Sequence, residues 1–302
     1  MKIEVKGTVK PAFYDDFACW AEECPVSCCT GYRFALLRGE ERYLPPEAVM
    51  SDEKGLCLKT RANGDCPFWN SRHLCSLQSG GDQHRLPAIC RTFPRIIVNY
   101  PDRTEFMLDP MCPAVAQQVS RWTIGDLLVT GEITDAAYLQ RAEAMRILGD
   151  ESIDFSEALR RAAECLAVGG SWLVAGENFD EPKSPTETQR RRVPLCDSAA
   201  LRETITSFWR RMTAYLLLVH WPAYLRVPAA GNVAESIFRF VEGCMVVSGS
   251  WLVVSDSNQP PVTSHQPLIS NFCRAWRSFA STVALDEELP DDFIAVDEIG
   301  TT

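Results

Sequence analysis

The sequence predicts a mainly α-helical protein with a loop-rich N-terminal domain that is stapled by metal bound to cysteines. Nine of the thirteen cysteines lie within the first 112 of the 302 residues. This region is rich in glycine and proline and has only short periodic runs, which indicates loops with short helices or strands. After Cys112, apolar residues recur at helical spacing. We therefore predict a cysteine-rich metal or iron-sulfur domain over residues 1–116 and a helical domain over residues 117–302.

The predicted helices share apolar residues three and four positions apart, and Thr134 and Asp154 are suitable N-caps for two of them. The six segments are 113–129, 134–149, 154–169, 197–221, 234–247 and 268–284. Between the third and fourth, residues 176–197 are polar, contain prolines and lack periodicity. This stretch is typical of a mobile loop.

The composition narrows the class of protein. An apolar content of 46% is sufficient for a buried core, and a formal net charge of -10 argues against a nucleic-acid partner, which needs a basic surface. The N-terminus lacks the features of a secretory signal, and the apolar run at 214–225 is shorter than the ~20 residues that span a bilayer. We therefore expect a cytoplasmic protein without a membrane partner. Because that compartment keeps thiols reduced, metal binding explains the cysteines better than disulfides do.

The cysteine spacing C-x4-C-x3-C-C starts at Cys19 and selects a soft metal: zinc, copper(I) or an iron-sulfur cluster. It matches neither the paired C-x2-C of a zinc ribbon nor a bacterial ferredoxin run. A radical-type C-x3-C-x2-C triad is also excluded, because Gly31 occupies the position of its third cysteine. Two adjacent side chains cannot easily face one ion, so we expect the thiols of Cys28 and Cys29 to point different ways.

Other residues have both a functional and a structural interpretation. Arg91 and Arg95 in CRTFPR could hold a carboxylate through their planar forks, or could form structural salt bridges. His73 and His84 could complete a zinc site, although loop histidines are mostly solvated. The cysteines outside the N-terminal pattern are expected to be buried or incidental thiols. These are Cys57, Cys165, Cys196, Cys244 and Cys273. The basic run 190–192 is expected to be a solvated loop.

Four segments carry a resemblance to a known family. FACWAEECPVSCCTGY, CPFWNSRHLCSLQ, RLPAICRTFPR and MCPAV resemble, in order and spacing over about residues 11–116, the flagellin lysine-N-methylases of bacteria. They are similar, more loosely, to zinc- or iron-chelating proteins with a CxxCxxCC start. Eight cysteines take part in the resemblance: Cys19, Cys24, Cys28, Cys29, Cys66, Cys75, Cys90 and Cys112.

The resemblance implies a cytoplasmic enzyme that transfers methyl groups from S-adenosylmethionine to lysines of flagellin. It also implies a 4Fe-4S cluster bound by these cysteines, with zinc as the alternative metal. No G-x-G-x-x-G or P-loop motif is present, so the cosubstrate site must be built differently; Arg91 and Arg95 are the predicted cosubstrate-binding residues. The alternative function is a non-catalytic zinc- or iron-chelating interaction protein.

The catalytic residues are not identified by the sequence. A lysine amine attacks a methyl group only when it is neutral, whereas an exposed lysine at pH 7 is protonated, with a pKa of about 10.4. The site must therefore desolvate the amine or supply a base. Four residues are candidates for this role, and the sequence does not rank them: Tyr32, Tyr100, Glu105 and Asp109.

Overall fold

The computed structural model describes residues 7–81, 83–166 and 199–226, together with 237–238, 240–241, 269, 272–273 and 276. The predicted loop at 176–197, the basic run at 190–192, Cys196 and Cys244 lie outside these residues. Most of the predicted helices at 234–247 and 268–284 also lies outside them. Within the described ranges, no helix combines the length and apolarity that crossing a bilayer requires.

The described residues contain six strands and six α-helices. The strands are β1 (Gly7–Pro11), β2 (Val49–Asp52), β3 (Gly55–Leu58), β4 (Arg95–Asn99), β5 (Arg103–Leu108) and β6 (Leu127–Thr130). The helices are α1 (Ser76–Ser79), α2 (Ala88–Thr92), α3 (Pro113–Val119), α4 (Ala136–Gly149), α5 (Phe155–Cys165) and α6 (Ala199–Arg226). Short 3-10 turns connect several of them.

Four of the strands form one mixed sheet in the order β4-β5-β1-β6, and β2 and β3 form a separate hairpin. Strand β1 is parallel to β5, with Val9 opposite Glu105, and antiparallel to β6, with Val9 opposite Val129. Strands β4 and β5 are antiparallel. The sheet therefore joins the beginning of the chain to segments about a hundred residues later.

The predicted mainly α fold class is wrong, because a mixed sheet lies at the centre of the described structure. The strands are only four to six residues long, so each has too few residues for a clear alternation of apolar and polar positions. Strand β5 also reverses the usual pattern: Arg103 and Glu105 are fully buried, whereas Thr104 and Phe106 between and beside them are partly exposed. Because charged residues occupy the buried positions of this strand, it lacks the alternation of buried apolar and exposed polar residues that would predict a strand.

The predicted helix at 113–129 is correct only as far as Val119. A capping box follows, in which the backbone N–H of Thr123 donates to the Asp126 carboxylate at 2.8 Å and opens a separate 3-10 turn. The chain then enters β6, where its backbone groups pair with β1 instead of continuing a helix. Pairing with a strand that is distant in sequence has overridden the local helical pattern.

The next two helices are confirmed, with one change of cap. Helix α4 begins after Asp135, whose carboxylate accepts from the Ala137 N–H at 3.1 Å, so Thr134 is not the cap. Helix α5 begins after Asp154, the predicted cap, which accepts from the Ser156 N–H at 2.8 Å. The long helix predicted at 197–221 is also confirmed, as α6.

Two hydrophobic cores organise the described residues. The large core combines the sheet with α3, α4, α5 and α6, and the small core lies under the β2–β3 hairpin. The small core contains Phe34, Leu36, Leu44, Leu58, Cys66, Leu77 and Leu86. Tyr32 packs against both cores. The domain boundary at residue 116 stays a prediction; strands β1 and β6 pair across it.

Tyr215 connects α6 to strand β5 of the sheet through hydrogen bonds. Its hydroxyl donates to the Leu108 carbonyl at 3.1 Å and accepts from the Leu108 N–H at 3.3 Å, and the tyrosine is fully buried. We expect Tyr215→Phe to lower the free energy of unfolding by about 1–3 kcal/mol, because it leaves buried backbone groups without this partner. Urea denaturation would measure the change. Tyr43→Phe, at a half-exposed tyrosine, is the control and should change little.

Candidate functional site

Backbone contacts bring three cysteine-bearing segments to one place. The N–H of Cys66 donates to the Cys29 carbonyl at 2.8 Å, and Trp69 forms an isolated bridge with Cys75. Gly31 turns the chain just after Cys29 with a φ of 74°, a conformation that glycine adopts without strain. Loops that are distant in sequence are therefore held together by main-chain hydrogen bonds, as the loop-rich character of the region requires.

Five thiols form one cluster, which we call the five-cysteine group: Cys28, Cys29, Cys66, Cys75 and Cys90. The Cys29 thiol is hydrogen-bonded with the thiols of both Cys28 and Cys66. Cys66 and Cys28 also lie close enough to act electrostatically on both Cys75 and Cys90. Every member except Cys28 belongs to the small core or packs against it. One thiol of the group thus lies within the small core and three lie against it.

The thiols of this group differ in acidity. The hydrogen bond from Cys29 lowers the pKa of Cys66 to about 7, although burial opposes this shift. Burial raises the pKa of Cys90 to about 12, helped by the neighbouring Cys66, Cys75 and Cys28. The pKa of Cys29 is raised by its hydrogen bonds to Cys28 and Cys66. Several thiolates in one place repel one another, so a bound cation is the natural way to deprotonate all of them.

The expectation that Cys28 and Cys29 point different ways is wrong. Their thiols are hydrogen-bonded to each other. Neighbouring side chains diverge along an extended strand, but these two residues lie in a turn, where the Cys29 N–H donates to the Ser27 hydroxyl at 3.0 Å. Both thiols therefore belong to the same group.

We call the other three predicted ligands, Cys19, Cys24 and Cys112, the three-cysteine group, because Cys24 and Cys19 act electrostatically on Cys112. Cys19 and Cys24 flank the 3-10 turn Ala21–Glu23, and Cys112 immediately precedes α3. Burial raises the pKa of Cys112 to about 12, and the nearby thiols of Cys24 and Cys19 raise it further.

The donor set fits a soft metal by the type of its side chains. Five neighbouring thiols supply more than the four ligands that a zinc ion or a 4Fe-4S cluster needs. In the part of the chain that the structure describes, however, no three cysteine, histidine, aspartate or glutamate side chains are already arranged as a metal site. Binding would therefore have to draw the thiols together, which is expected of a site whose closure is coupled to folding.

The remaining described cysteines have partners outside both groups. Cys57 is buried and its thiol donates to Asp52 at 3.5 Å. Cys165 donates to the Gln140 carbonyl and Cys273 to the Pro110 carbonyl, each at 3.6 Å. These positions match the structural role expected of them. His73 is exposed and stacks on Trp69 with ring centroids 5.3 Å apart, and His84 is exposed.

The two arginines predicted to hold the cosubstrate lie on either side of the Phe93–Pro94 bond. Arg91 directly follows Cys90, is about half exposed, and lies 3.8 Å from Glu40. The guanidinium of Arg95 lies over the Phe17 ring at 5.3 Å. Arg91 thus makes the kind of salt bridge considered as its alternative role. Cosubstrate binding by either residue stays a prediction.

Two of the four base candidates are engaged in structural contacts. Glu105 accepts two hydrogen bonds from Arg141, at 2.7 and 2.8 Å, and one from Arg103 Nε at 2.6 Å. The Arg103 guanidinium also lies 3.8 Å from the centre of the Tyr100 ring. Glu105 and both arginines are fully buried. A carboxylate held by two arginines in the core cannot reach an incoming lysine.

The other two candidates meet at Met111. The Tyr32 hydroxyl donates to the Met111 sulfur at 3.4 Å, and the Asp109 carboxylate accepts from the Met111 N–H at 2.8 Å. Met111 immediately precedes Cys112 and is largely buried. Tyr32 packs against both cores, so this is the place where the base candidates approach the cysteine groups.

A cavity of about 330 Å³ opens elsewhere, near the C-terminal end of α4. Its lining residues are Thr123, Ile124, Gly125, Arg146, Gly149 and Asp150. It contains neither a cysteine nor any of the predicted site residues, so its position does not connect it with the metal chemistry.

Comparison with known proteins gives a distant relation. The flagellar biosynthetic protein FliU of Salmonella muenchen is 25% identical over 126 residues, which covers 36% of this chain and 75% of that protein. Lysine-N-methylases of Salmonella choleraesuis and Salmonella typhimurium are also 25% identical over 126 residues. This chain spans only 31% of their length. No protein-family model and no solved structure matches the chain.

Proposed function

We propose that this protein is a protein-lysine N-methyltransferase that uses S-adenosylmethionine, acts on flagellin and contains a cysteine-ligated 4Fe-4S cluster. The observation that carries the proposal is the distant relation to two lysine-N-methylases, which covers 36% of this chain. A further relative is named a flagellar biosynthetic protein, which supports flagellin as the substrate class.

Three members of the five-cysteine group would hold a 4Fe-4S cluster with one iron left open, and four of the thiols would hold zinc if zinc is the metal. When bound, a cluster with one open iron supplies a place to hold the amino and carboxylate groups of the cosubstrate. Arg91 and Arg95 would add bidentate contacts to that carboxylate. Brown colour and acid-labile sulfide in anaerobically purified protein would support the cluster, and a colourless zinc protein would contradict it.

Asp109 is the proposed base. Its carboxylate accepts from the N–H of Met111, the residue before Cys112. It would take a proton from the substrate lysine, whose amine is otherwise charged at neutral pH. Tyr32, whose hydroxyl donates to the Met111 sulfur, would help to exclude water from the amine.

We expect Asp109→Asn to lower kcat for flagellin methylation by about a hundredfold to ten-thousandfold and to remove the basic group from the pH profile. The Asn side-chain oxygen can still accept from the Met111 N–H, so a purely structural role should survive the change. The measurement is the gain in mass of initially unmethylated flagellin after incubation with S-adenosylmethionine and cluster-loaded protein. Asp16→Asn, at an exposed position, is the control.

If the wild-type protein, loaded with its cluster under anaerobic conditions, adds no methyl groups to flagellin, the enzymatic proposal is wrong. The second candidate function would then apply, a zinc- or iron-chelating interaction protein without methyl transfer. The observation that favours this second candidate is the partial match to the relatives, because the chain spans only 31% of the length of the lysine-N-methylases it matches. Such a protein would keep its metal in the same assay and leave the flagellin mass unchanged.

A further inference from the structure

The cavity near the C-terminal end of α4 has walls that are fixed by hydrogen bonds. On one side is the capping box, in which the Thr123 N–H donates to the Asp126 carboxylate at 2.8 Å. On the other side, buried Arg210 donates to the carbonyl oxygens of Leu148 and Asp150, at 3.2 and 2.9 Å. The cavity of about 330 Å³ is therefore largely preformed, and its volume is that of a small-molecule site.

A second, smaller cavity of about 40 Å³ adjoins the first. The two share Thr123, Ile124 and Gly149 in their linings, and Trp122 lines only the smaller one. A Cβ atom added at Gly149 would lie 3.0 Å from the Ile124 side chain. At Gly125, the nearest atom beyond the chain neighbours would be the Thr123 hydroxyl oxygen, at 3.6 Å. The chain thus packs closely at Gly149 and leaves open space at Gly125.

The indole of Trp122 supplies a buried hydrogen-bond donor to this place. Trp122 is 2% exposed, and among the residues that the structure describes its Nε1–H has no acceptor. Buried polar groups nearly always have a partner, because leaving one without it costs free energy. An oxygen atom of a ligand in the smaller cavity would supply the missing acceptor.

Side chains of opposite charge line the larger cavity. Arg146 bonds to Glu143 through Nε and Nη2, at 2.8 and 2.7 Å. Asp150 accepts two hydrogen bonds from Ser152, both on Oδ1, and these bonds hold the pKa of its carboxyl below the usual range. Asp150 is therefore charged at neutral pH. Within the described part of the chain, Arg146 Nη1 and Asp150 Oδ2 are left to bond with a ligand.

We propose that this cavity binds a small molecule with an α-ammonium and a carboxylate group, that is, an α-amino acid or a compound that ends in one. The carboxylate would accept from Arg146 and Trp122, and the ammonium would donate to Asp150. An apolar part of the ligand would lie against Ile124. A ligand of one charge would pair with only one of the two wall charges, so both groups are required.

This chemistry has two sources, a free amino acid and the methionine end of S-adenosylmethionine. Neither cavity is lined by a cysteine of the two groups, and the inference does not rest on methyl transfer. Binding of S-adenosylmethionine at this place would make it the cosubstrate site, whereas binding of amino acids alone would make it a separate ligand site.

The test is isothermal titration calorimetry of the full-length chain with L-methionine, L-leucine and S-adenosylmethionine. Binding of an amino acid without S-adenosylmethionine would identify the first source, and binding of S-adenosylmethionine the second. N-acetyl-L-methionine lacks the ammonium charge and L-methioninamide lacks the carboxylate. Each should bind at least about tenfold more weakly than L-methionine, because each loses hydrogen bonds between charged groups.

Variants assign the binding to this cavity. Arg146→Gln and Asp150→Asn should each weaken it by about tenfold to a hundredfold, because each removes a hydrogen bond to a charged group. Gly125→Leu should abolish it, since the added side chain would fill the open space. The matched control is Arg160→Gln. Arg160, like Arg146, is paired with a glutamate three residues earlier, but it does not line the cavity.

No heat of binding at millimolar concentrations of any of the three compounds would overturn the proposal, as would equal affinities of the wild type and Arg146→Gln. Arg146 is exposed, so this variant should fold, and circular dichroism would show that it does. The calorimetry uses neither flagellin nor a metal, so its outcome is independent of the methylation assay.

Discussion

Replacing Glu105 with glutamine is expected to lower the free energy of unfolding by about 3–5 kcal/mol, the cost of breaking a buried ion pair from one side. Glu105 is fully buried in β5 and receives hydrogen bonds from two buried arginines, Arg103 and Arg141. Glutamine has nearly the same shape but no charge. Urea denaturation followed by tryptophan fluorescence would measure the loss.

The size of the effect depends on which partners the two buried arginines keep after Glu105→Gln. Burial acts to lower the pKa of Arg103, but the hydrogen bond and charge of Glu105, with Asp135 and Asp102, raise it overall. Arg103 would keep Asp102 and Asp135, at 2.9 and 3.0 Å. Arg141 would lose the carboxylate that accepts hydrogen bonds from both of its terminal nitrogens. The positive charge of Arg141 would remain in the core.

Two comparisons isolate this mechanism. Glu143→Gln removes an exposed partner of Arg146 one turn away on α4 and should change stability little, because solvent screens such pairs. Replacing Glu105 and Arg141 together with methionine should recover part of the loss, since the Arg141 charge is then no longer left in the core and Arg103 keeps Asp102 and Asp135. Equal losses in Glu105→Gln and Glu143→Gln would show that the buried network is not the cause.

Replacing Cys66 and Cys75 together with serine is expected to lower the metal bound by the five-cysteine group at least about tenfold and to unfold the small core. The region is loop-rich, so a bound metal would supply much of its folding free energy. Cys66 is 3% exposed and belongs to the small core itself. Metal per chain and hydrogen exchange over residues 28–92 would measure the two effects.

The matched control is Cys57→Ser, which also places a hydroxyl at a buried thiol beside the small core but outside the five-cysteine group. It should keep the metal. Helices α4 and α6 pack in the large core, so they should stay protected from exchange in both variants. Full metal content in the Cys66→Ser, Cys75→Ser variant would refute the assignment of the group as a metal centre.

Local signals in the sequence predicted the helices well. Asp154 was identified as a cap because its carboxylate needs only the N–H two residues later, and α4, α5 and α6 follow patterns contained within single segments. The sheet was missed because its pairings join residues such as Val9 and Val129. No local pattern encodes such a pairing, and the buried charges of β5 disguise that strand.

The sequence by itself predicted soft-metal chemistry from its clustered thiols, and their spacing with the flanking residues indicated the distant relation to lysine-N-methylases that the comparison found. Only the tertiary structure decided which cysteines lie beside one another and which base candidates are buried. Cys29 and Cys66 are far apart in sequence, yet the Cys66 N–H donates to the Cys29 carbonyl, and Glu105 is fully buried. Ligand sets depend on distance in space, and in a loop-rich chain that distance is set by hydrogen bonds and core packing between remote segments.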